Sequence, residues 1–205
     1  MSEKKLLNAI ISIQNWGNST DLEKLMKYNS NIASVFHTMG SSSYILDTGF
    51  RLKSELEAWL KLFKGLTLSS GVPAVLKIRT QKVIEVLKSK EQNKLQEYLK
   101  TAEKQHFFMY IDTYVDSTGF INYMNSVNCV YSLLHLQGEH SYVAEVIPND
   151  YSDYKDLLQN LKKLDGILRI DTHEVISVLK YRGEIVDDKG NLLFPEEDTR
   201  EMFTF

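Results

Sequence analysis

The sequence has few of the residues that mark several classes of protein. Its 205 residues include three prolines, ten glycines and a single cysteine, Cys129. One cysteine excludes a disulfide framework, and 43% apolar residues without a low-complexity tract exclude a disordered or collagen-like chain. Cys129 is interpreted as a small buried hydrophobic residue and not as a nucleophile. The chain is predicted to be globular, with one large domain or two small ones.

Charge and hydropathy exclude further classes. The 24 Lys and Arg residues against 27 Asp and Glu give a net charge of −3, whereas a protein that binds duplex DNA unaided normally has a basic excess. No apolar run approaches the roughly 20 residues of a membrane helix, and no targeting segment is recognised. Together with the unpaired thiol, these absences predict a cytoplasmic protein that contacts neither membranes nor DNA directly.

The sequence does contain an internal repeat. Matching residues recur 98 positions apart over most of each copy and 92 positions apart over its last part. The first copy therefore has six extra residues, at 67–72. The matches include Gly40 with Gly138, Ser43-Tyr44 with Ser141-Tyr142, Thr80 with Thr172, and Val86-Leu87-Lys88 with Val178-Leu179-Lys180. We interpret this ordered set as a tandem duplication, because chance does not reproduce it in sequence.

Both copies predict the same order of elements. Segments rich in β-branched and aromatic residues predict strands at 7–13, 32–39, 75–87 and from 44, and at 107–114, 130–137, 167–181 and from 142. Helical spacing of apolar residues predicts helices from 19 and over 52–63, and from 117 and over 152–163. Each copy thus reads β-α-β-β-α-β. The predicted fold class is α+β, with two ferredoxin-like repeats of the dimeric α+β barrel type.

The predicted domain boundaries follow from this order. The first ferredoxin-like domain spans 1–88 and the second spans 105–182. Residues 89–104 contain neither Gly nor Pro and are predicted to form a connecting helix. An acidic tail spans 183–205, with a hairpin predicted over 184–194. The apolar end of the tail, with Met202, Phe203 and Phe205, is predicted to dock on a sister subunit.

The second copy resembles a known family. A strand ends at Gly138, Ser141-Tyr142 follows, and after a helix come Gly166-Ile167, Thr172 and a last strand that finishes at Lys180. This pattern is similar to the effector-binding (AsnC ligand-binding) domain of the Lrp/AsnC family of amino-acid-sensing regulators. The first copy repeats the pattern with Gly40, Ser43-Tyr44, Gly71-Val72, Thr80 and Lys88. Ser43 and Ser141 replace the acidic residue that the family carries before the tyrosine.

The resemblance implies a tandemly duplicated effector domain, and no helix-turn-helix is recognised before its first strand. We expect a non-enzymatic module that senses a small, amino-acid-like molecule, self-associates, and regulates transcription through a partner such as an Lrp-type regulator. A glycine at a strand end lets backbone amides approach a ligand carboxylate, and Ser and Tyr hydroxyls add donors. The predicted ligand-binding residues are Gly40, Ser43, Tyr44, Thr80, Gly138, Glu139, His140, Ser141, Tyr142, Asp171 and Thr172.

The sequence also leaves other functions open. Related α+β barrels include small enzymes that act through His or Tyr, although no catalytic set emerges here from residue spacing. RNA binding would use Phe107, Phe108 and Tyr110 for stacking, but the chain is acidic and its third strand lacks the basic RNA-binding pattern. The matched His37 and His135 are interpreted as lying at a sheet interface. Because no His-x-x-x-His or Cys-x-x-Cys spacing is present, no metal and no cofactor are predicted.

Overall fold

The computed structural model describes residues 7–16, 20–89, 105–114, 117–186 and 192–193. Within these ranges the chain forms four helices and ten strands, and the strands of each copy pair antiparallel. The predicted α+β fold class is confirmed. No helix in the described part of the chain is both long and apolar enough to cross a membrane. The predicted connecting helix, apart from Ser89, and the end of the tail lie outside the described residues.

The elements follow the predicted order. In the first copy they are β1 (Leu7–Asn15), α1 (Thr20–Tyr28), β2 (Ile32–Met39), β3 (Tyr44–Phe50), α2 (Lys53–Lys64) and β4 (Val75–Ser89). In the second copy they are β5 (Phe107–Thr113), α3 (Thr118–Ser126), β6 (Val130–Gln137), β7 (Tyr142–Val146), α4 (Tyr151–Leu161) and β8 (Ile167–Tyr181). The short strands β9 (Glu184–Val186) and β10 (Leu192–Leu193) pair as the predicted hairpin.

The chain divides into two compact units. The first unit comprises Met1–Lys82 and Ile176–Phe205. Its strands lie in the order β2-β3-β1-β4, with the end of β8 beside β2. Side chains alternate between the two faces of a strand, and one face of this sheet packs Ile11 and Leu46 against Met26 of α1 and Phe63 of α2. This core fixes the positions of the residues on the other face.

The second unit comprises Val83–Val175. Its strands lie in the order β6-β7-β5-β8, with the end of β4 beside β6. One face of the sheet packs Met109 and Ala144 against Met124 of α3 and Leu161 of α4. Each unit therefore has four strands of its own copy and takes another from the end of the other copy's last strand, and in the first unit β9 and β10 continue the sheet beyond β8.

Strand registers in the two units correspond. Ile11 lies opposite Leu46 and Thr80 in the first unit, and Met109 lies opposite Ala144 and Thr172 in the second. Ile11 and Leu46 lie 98 positions before their counterparts in the second unit, and Thr80 lies 92 positions before its counterpart. These are the two shifts of the sequence repeat. The register irregularities also recur, between residues 14 and 15 and between 112 and 113. The six extra residues of the first copy form a turn closed by a bridge between Thr67 and Pro73.

A lysine at the end of each long strand binds the end of a helix. Lys88 Nζ donates hydrogen bonds to the carbonyl oxygens of Met124, Asn125 and Val127 over 3.0, 2.9 and 2.7 Å. Lys180 Nζ donates to the carbonyl of Asn29 over 2.8 Å. The last carbonyls of a helix have no partner within the helix and carry partial negative charge, so a cation stabilises them.

Candidate functional site

The face of the second unit's sheet away from α3 and α4 carries a cluster of histidines and carboxylates. We call it the far face of the second unit. Phe107, Met109 and Ile111 of β5 point into the helix-side core. Phe108, Tyr110 and Asp112, which alternate with them, therefore lie on the far face. Their partners on β8 are His173, Asp171 and Arg169, in that order.

The β6–β7 hairpin places His140 and Ser141 beside Asp112. Nδ1 of His140 lies 3.1 Å from Oδ1 and 3.3 Å from Oδ2 of Asp112. The backbone N–H of Ser141 donates to Oδ1 of Asp112 over 3.3 Å, and the N–H of Thr113 donates to Ser141 Oγ over 3.4 Å. Asp112 thus brings a carboxylate from the neighbouring strand to this turn.

Tyr110 lies between two histidines at the centre of this face. Its ring centroid is 5.0 Å from that of His140 and 5.4 Å from that of His173. Oδ2 of Asp171 lies 3.7 Å from His173 Nε2 and 3.5 Å from a terminal nitrogen of Arg169. Two histidines therefore flank one tyrosine ring, and each histidine has a carboxylate beside it.

A third histidine–carboxylate contact lies further along the same face. His106 Nε2 is 3.0 Å from Glu145 Oε1, and Ser132 Oγ donates to Glu145 Oε2 over 3.5 Å. The His106 ring lies 5.4 Å from that of Phe108. This contact extends the polar surface beyond the residues around Tyr110.

The side chains of the far face fall into two groups by burial, which we call a buried floor and a partly exposed rim. His106, His140 and His173 are only 1%, 6% and 1% exposed. The side chains of Asp112 and Asp171 are 21% and 23% exposed, and that of Arg169 is 57% exposed. The histidines form the floor, while both aspartates and the arginine can meet a small molecule from solvent. Among the described residues, no three potential ligand side chains are arranged to hold a metal ion.

The first unit has no histidine at the positions that correspond to this floor. By the repeat shifts, His106 corresponds to Asn8, His140 to Ser42 and His173 to Gln81. The two units share turn residues such as Gly40 with Gly138 and Ser43-Tyr44 with Ser141-Tyr142, and differ on this face. Such a difference on a common backbone points to chemistry that is particular to the second unit.

The structure brings together part of the predicted ligand site. His140, Ser141 and Asp171 lie around Asp112 and Tyr110. Gly138 and Glu139 are exposed on the adjoining hairpin. In the first unit, Gly40 and Ser43 lie on the corresponding hairpin, where Asn15 N–H donates to Ser43 Oγ.

Four predicted residues lie on the opposite, helix side of their sheets: Tyr44, Thr80, Tyr142 and Thr172. Tyr44 is fully buried, and its hydroxyl donates to Glu23 Oε1 over 2.9 Å. Burial, together with this contact, raises the pKa of Tyr44. Tyr142 makes the corresponding hydroxyl contact with Ser117. These residues are separated from the far face by the sheet itself.

The candidate RNA-stacking residues do not share a face. Phe107 stacks on Tyr154 of α4, with 4.1 Å between ring centroids, while Phe108 and Tyr110 lie on the far face. All three are at least 94% buried. His37 and His135, interpreted as interface residues, stack on Tyr44 and Tyr142 of the neighbouring strands at 5.0 Å.

Residue spacing did not identify Asp112 or the His106–Glu145 contact. The available signal was the alternation of Phe108, Tyr110 and Asp112 along β5, which places them on one face. Which residues of β7 and β8 lie beside them depends on strand register, and sequence spacing alone does not give it.

A separate cleft lies on the helix side of the second unit. It has a volume of about 310 Å³ and is lined by α4 residues, including Asp156 and Asn160, and by the segment from Tyr123 to Cys129. None of the predicted ligand-binding residues lines it. The far face, and not this cleft, contains the paired ionisable groups, so we take the far face as the candidate site.

Part of the chain is similar in sequence to one known protein family. Residues 112–185 match the family model of the Lrp/AsnC ligand binding domain. This range starts at Asp112 and includes the β6–β7 hairpin and β8. No curated protein matches the chain.

Solved structures are similar to the chain in fold. A siroheme decarboxylase, NirDL, has a TM-score of 0.61 at 7% identity, covering 86% of this chain and 73% of its own. An anthrone oxidase-like protein has a TM-score of 0.50 at 12% identity, covering 86% and 93%. A mutant chlorite dismutase from Candidatus Nitrospira defluvii has a TM-score of 0.48 at 10% identity, covering 86% and 93%. At these identities the likeness concerns the fold alone.

Proposed function

We propose that the chain is a small-molecule-sensing module of Lrp/AsnC type, with its ligand on the far face of the second unit. The family match supports this proposal, because it spans the strand and hairpin residues that meet at Asp112. We also propose that the two units arose by tandem duplication, since their strand registers correspond. The repeats would then run over 1–88 and 105–182.

One observation carries the ligand assignment. The accessible rim of the far face presents Arg169 beside Asp171, and Asp112 beside His140. A guanidinium binds a carboxylate through paired hydrogen bonds, and a carboxylate binds an ammonium group. Groups of both signs within one small area suit a zwitterion, such as a free amino acid.

A sensing role also requires that binding changes the rest of the protein. β8 carries Asp171 and His173 in its first half and Lys180 near its end, within one continuous strand. We propose that ligand binding alters β8 and thereby self-association or contact with an Lrp-type regulator. Transcription would be regulated through that partner and not through direct DNA contact.

Calorimetric titration of the full chain with amino acids and related metabolites tests the ligand site. We expect saturable binding that Asp112→Asn and Arg169→Gln each weaken at least tenfold. The matched control is Lys82→Gln, on the helix side of β4 in the first unit, which should bind like the wild type. Absence of binding to every zwitterion, or unchanged binding in Arg169→Gln, contradicts the proposal.

The histidine–carboxylate contacts favour one second candidate, a small enzyme of the same fold class. A histidine held 3.0–3.1 Å from a carboxylate is a common arrangement for general acid–base catalysis. The two candidates differ in turnover. If the bound ligand is recovered unchanged, the module senses it; if product forms and His140→Asn stops its formation while binding is retained, the module is an enzyme.

A further inference from the structure

The helix-side cleft of the second unit is built on one face of α4. Asp156, Leu157 and Asn160 follow Asp153 by three, four and seven residues, the spacing of side chains on one face of a helix. The other lining residues are Tyr123 of α3, Val127, Asn128 and Cys129 after it, and Asn149 before α4. The volume of about 310 Å³ is in the lower part of the range of ligand-binding clefts, about 300–1,000 Å³.

The internal repeat accounts for the space in this cleft. By the shift of 98, Trp59 of the first unit corresponds to Leu157, and Phe63 corresponds to Leu161. The two aromatic rings of the first unit pack together, with 4.0 Å between their centroids, and Trp59 is only 6% exposed. Because leucine is much smaller than tryptophan or phenylalanine, the second unit keeps open volume beside α4 where the first unit has a packed indole.

The polar lining is also particular to the second unit. Three positions differ in character between the units: Ala58, Leu62 and Arg51 of the first unit correspond to Asp156, Asn160 and Asn149 of the second. Two apolar side chains and a cation are thus replaced by one carboxylate and two amides. The second unit gains negative charge and hydrogen-bond acceptors at these positions and loses a positive charge.

The cleft contains two carboxylates, and its described lining residues include no Lys, Arg or His. Asp153 Oδ2 accepts hydrogen bonds from the backbone N–H of Asn149 over 3.2 Å and from its side-chain amide over 3.0 Å, which hold this carboxylate in place. Asp156 is exposed, and its carboxylate forms no hydrogen bond or ion pair with the described part of the chain. Residues three apart on a helix have Cβ atoms about 5–6 Å apart, so both carboxylates can bind one small ligand.

We infer that this cleft binds a small aliphatic diamine, with its ammonium groups on Asp153 and Asp156. Each carboxylate accepts charge-assisted hydrogen bonds from an ammonium group. The side-chain carbonyls of Asn149 and Asn160 accept the remaining N–H groups, and Leu157 contacts the methylene groups. A divalent metal ion suits the cleft less well, because no three His, Cys, Asp or Glu side chains of the described residues are arranged to hold one. The site is independent of the far face and of the ligand proposed there.

Calorimetric titration of the full chain with putrescine, a four-carbon diamine, tests this inference. The salt concentration is about 150 mM, at which attraction to isolated exposed charges is screened. We expect saturable binding of one putrescine per chain, weakened at least tenfold in Asp156→Asn. Butanediol, an uncharged molecule of the same length, should not bind. Unchanged melting temperatures establish that the variants are folded.

Two further variants make the result specific. Asp165→Asn removes the same charge from an exposed residue of the same unit that does not line the cleft, and it should retain wild-type affinity. Leu157→Trp introduces the residue of the first unit and should block binding although both carboxylates remain. Because Leu157 is buried, this variant is informative only if it folds, whereas Asp156→Asn changes an exposed residue and decides the question alone.

Three results overturn the inference: no saturable binding of putrescine, binding of butanediol with equal affinity, or a loss in Asp156→Asn no greater than that in Asp165→Asn. Binding of zwitterions to the far face is measured separately and is unaffected by these outcomes.

Discussion

Lys180 is an ionisable residue whose environment opposes its charge. It is 5% exposed, and burial lowers its pKa from 10.5 to about 8, although its Nζ donates to the Asn29 carbonyl. Between about pH 8 and pH 10.5 the unfolded chain therefore binds more protons at this residue than the folded chain does. Lys180 therefore destabilises the folded chain by a constant amount below about pH 8. This destabilisation decreases as the pH rises towards 10.5, so the free energy of unfolding increases over this range.

Lys180→Met should remove that contribution. We expect the free energy of unfolding of the variant to rise less steeply between pH 8 and pH 10.5 than that of the wild type, by at most the slope of one proton. Urea denaturation at several pH values in this range measures both slopes. Identical slopes in the two proteins would contradict the assignment of the shifted pKa to Lys180.

Trp59 is the largest side chain in the helix-side core of the first unit. It is 6% exposed and packs against Phe63, with 4.0 Å between ring centroids, and against Phe50 at 6.0 Å. Trp59→Ala should lower the free energy of unfolding by about 3–5 kcal/mol, because it removes buried contacts and leaves a cavity. Chemical denaturation measures the change. Trp16→Ala, at a tryptophan that is 61% exposed, is the matched control and should cost far less.

The candidate site shows which contacts a sequence pattern predicts and which it does not. His140 and Ser141 were predicted because they lie in one hairpin next to a glycine, which is local information. Asp112 is 28 residues from His140 in sequence and meets it only through strand pairing. The predicted Thr80 and Thr172 recur in both copies, but their strand register places them on the helix side.

At the scale of elements, β4 and β8 are the ones that extend beyond their own copy. Each is 15 residues long, whereas β1 and β5 have nine and seven. Their first halves pair within the copy that contains them, and their ends lie beside β6 and β2. The lysine near each end then binds helix carbonyls, so the strand holds its position through both backbone pairing and a charged contact.

Lys88→Met should loosen the end of α3. The variant keeps the aliphatic length and loses three charge-assisted hydrogen bonds to Met124, Asn125 and Val127. We expect a loss of about 2 kcal/mol in the free energy of unfolding, as for hydrogen bonds to a charged group. Amide hydrogen exchange should accelerate near the end of α3. Lys53→Met, in an exposed pair with Glu57, is the control and should leave both quantities nearly unchanged.

Element positions were predictable to a large extent. The strands at 32–39, 130–137 and 167–181 and the starts of β3 and β7 match their predicted limits. Glycines and runs of β-branched residues mark these ends in the sequence. Helix limits differ by one or two residues, because terminal turns depend on capping contacts such as Asp150 with Ser152 and Asp153. The exchange of strand ends has no local signal, since an extended strand is compatible with either neighbour.

At the scale of the whole molecule, neither compact unit coincides with one copy of the repeat. The first needs Ile176 onward, and the second needs Val83 onward. Residues 105–186 expressed alone should therefore lack the strand that lies beside β6 and should not unfold cooperatively. Adding a separate 1–89 fragment should restore a cooperative transition, as measured by circular dichroism on heating. A sharp thermal transition of 105–186 alone would contradict this expectation.

The exchange of strand ends also sets an order of events during synthesis. When Lys82 leaves the ribosome, β1 to β3 and the first half of β4 have been made, but the strand that lies beside β2 has yet to be made. At typical elongation rates the wait is on the order of ten seconds. Throughout that time the edge of β2 presents unpaired backbone groups, to which a strand of another nascent chain could add. The first half of the protein is thus most exposed to misassembly before the ribosome finishes the second.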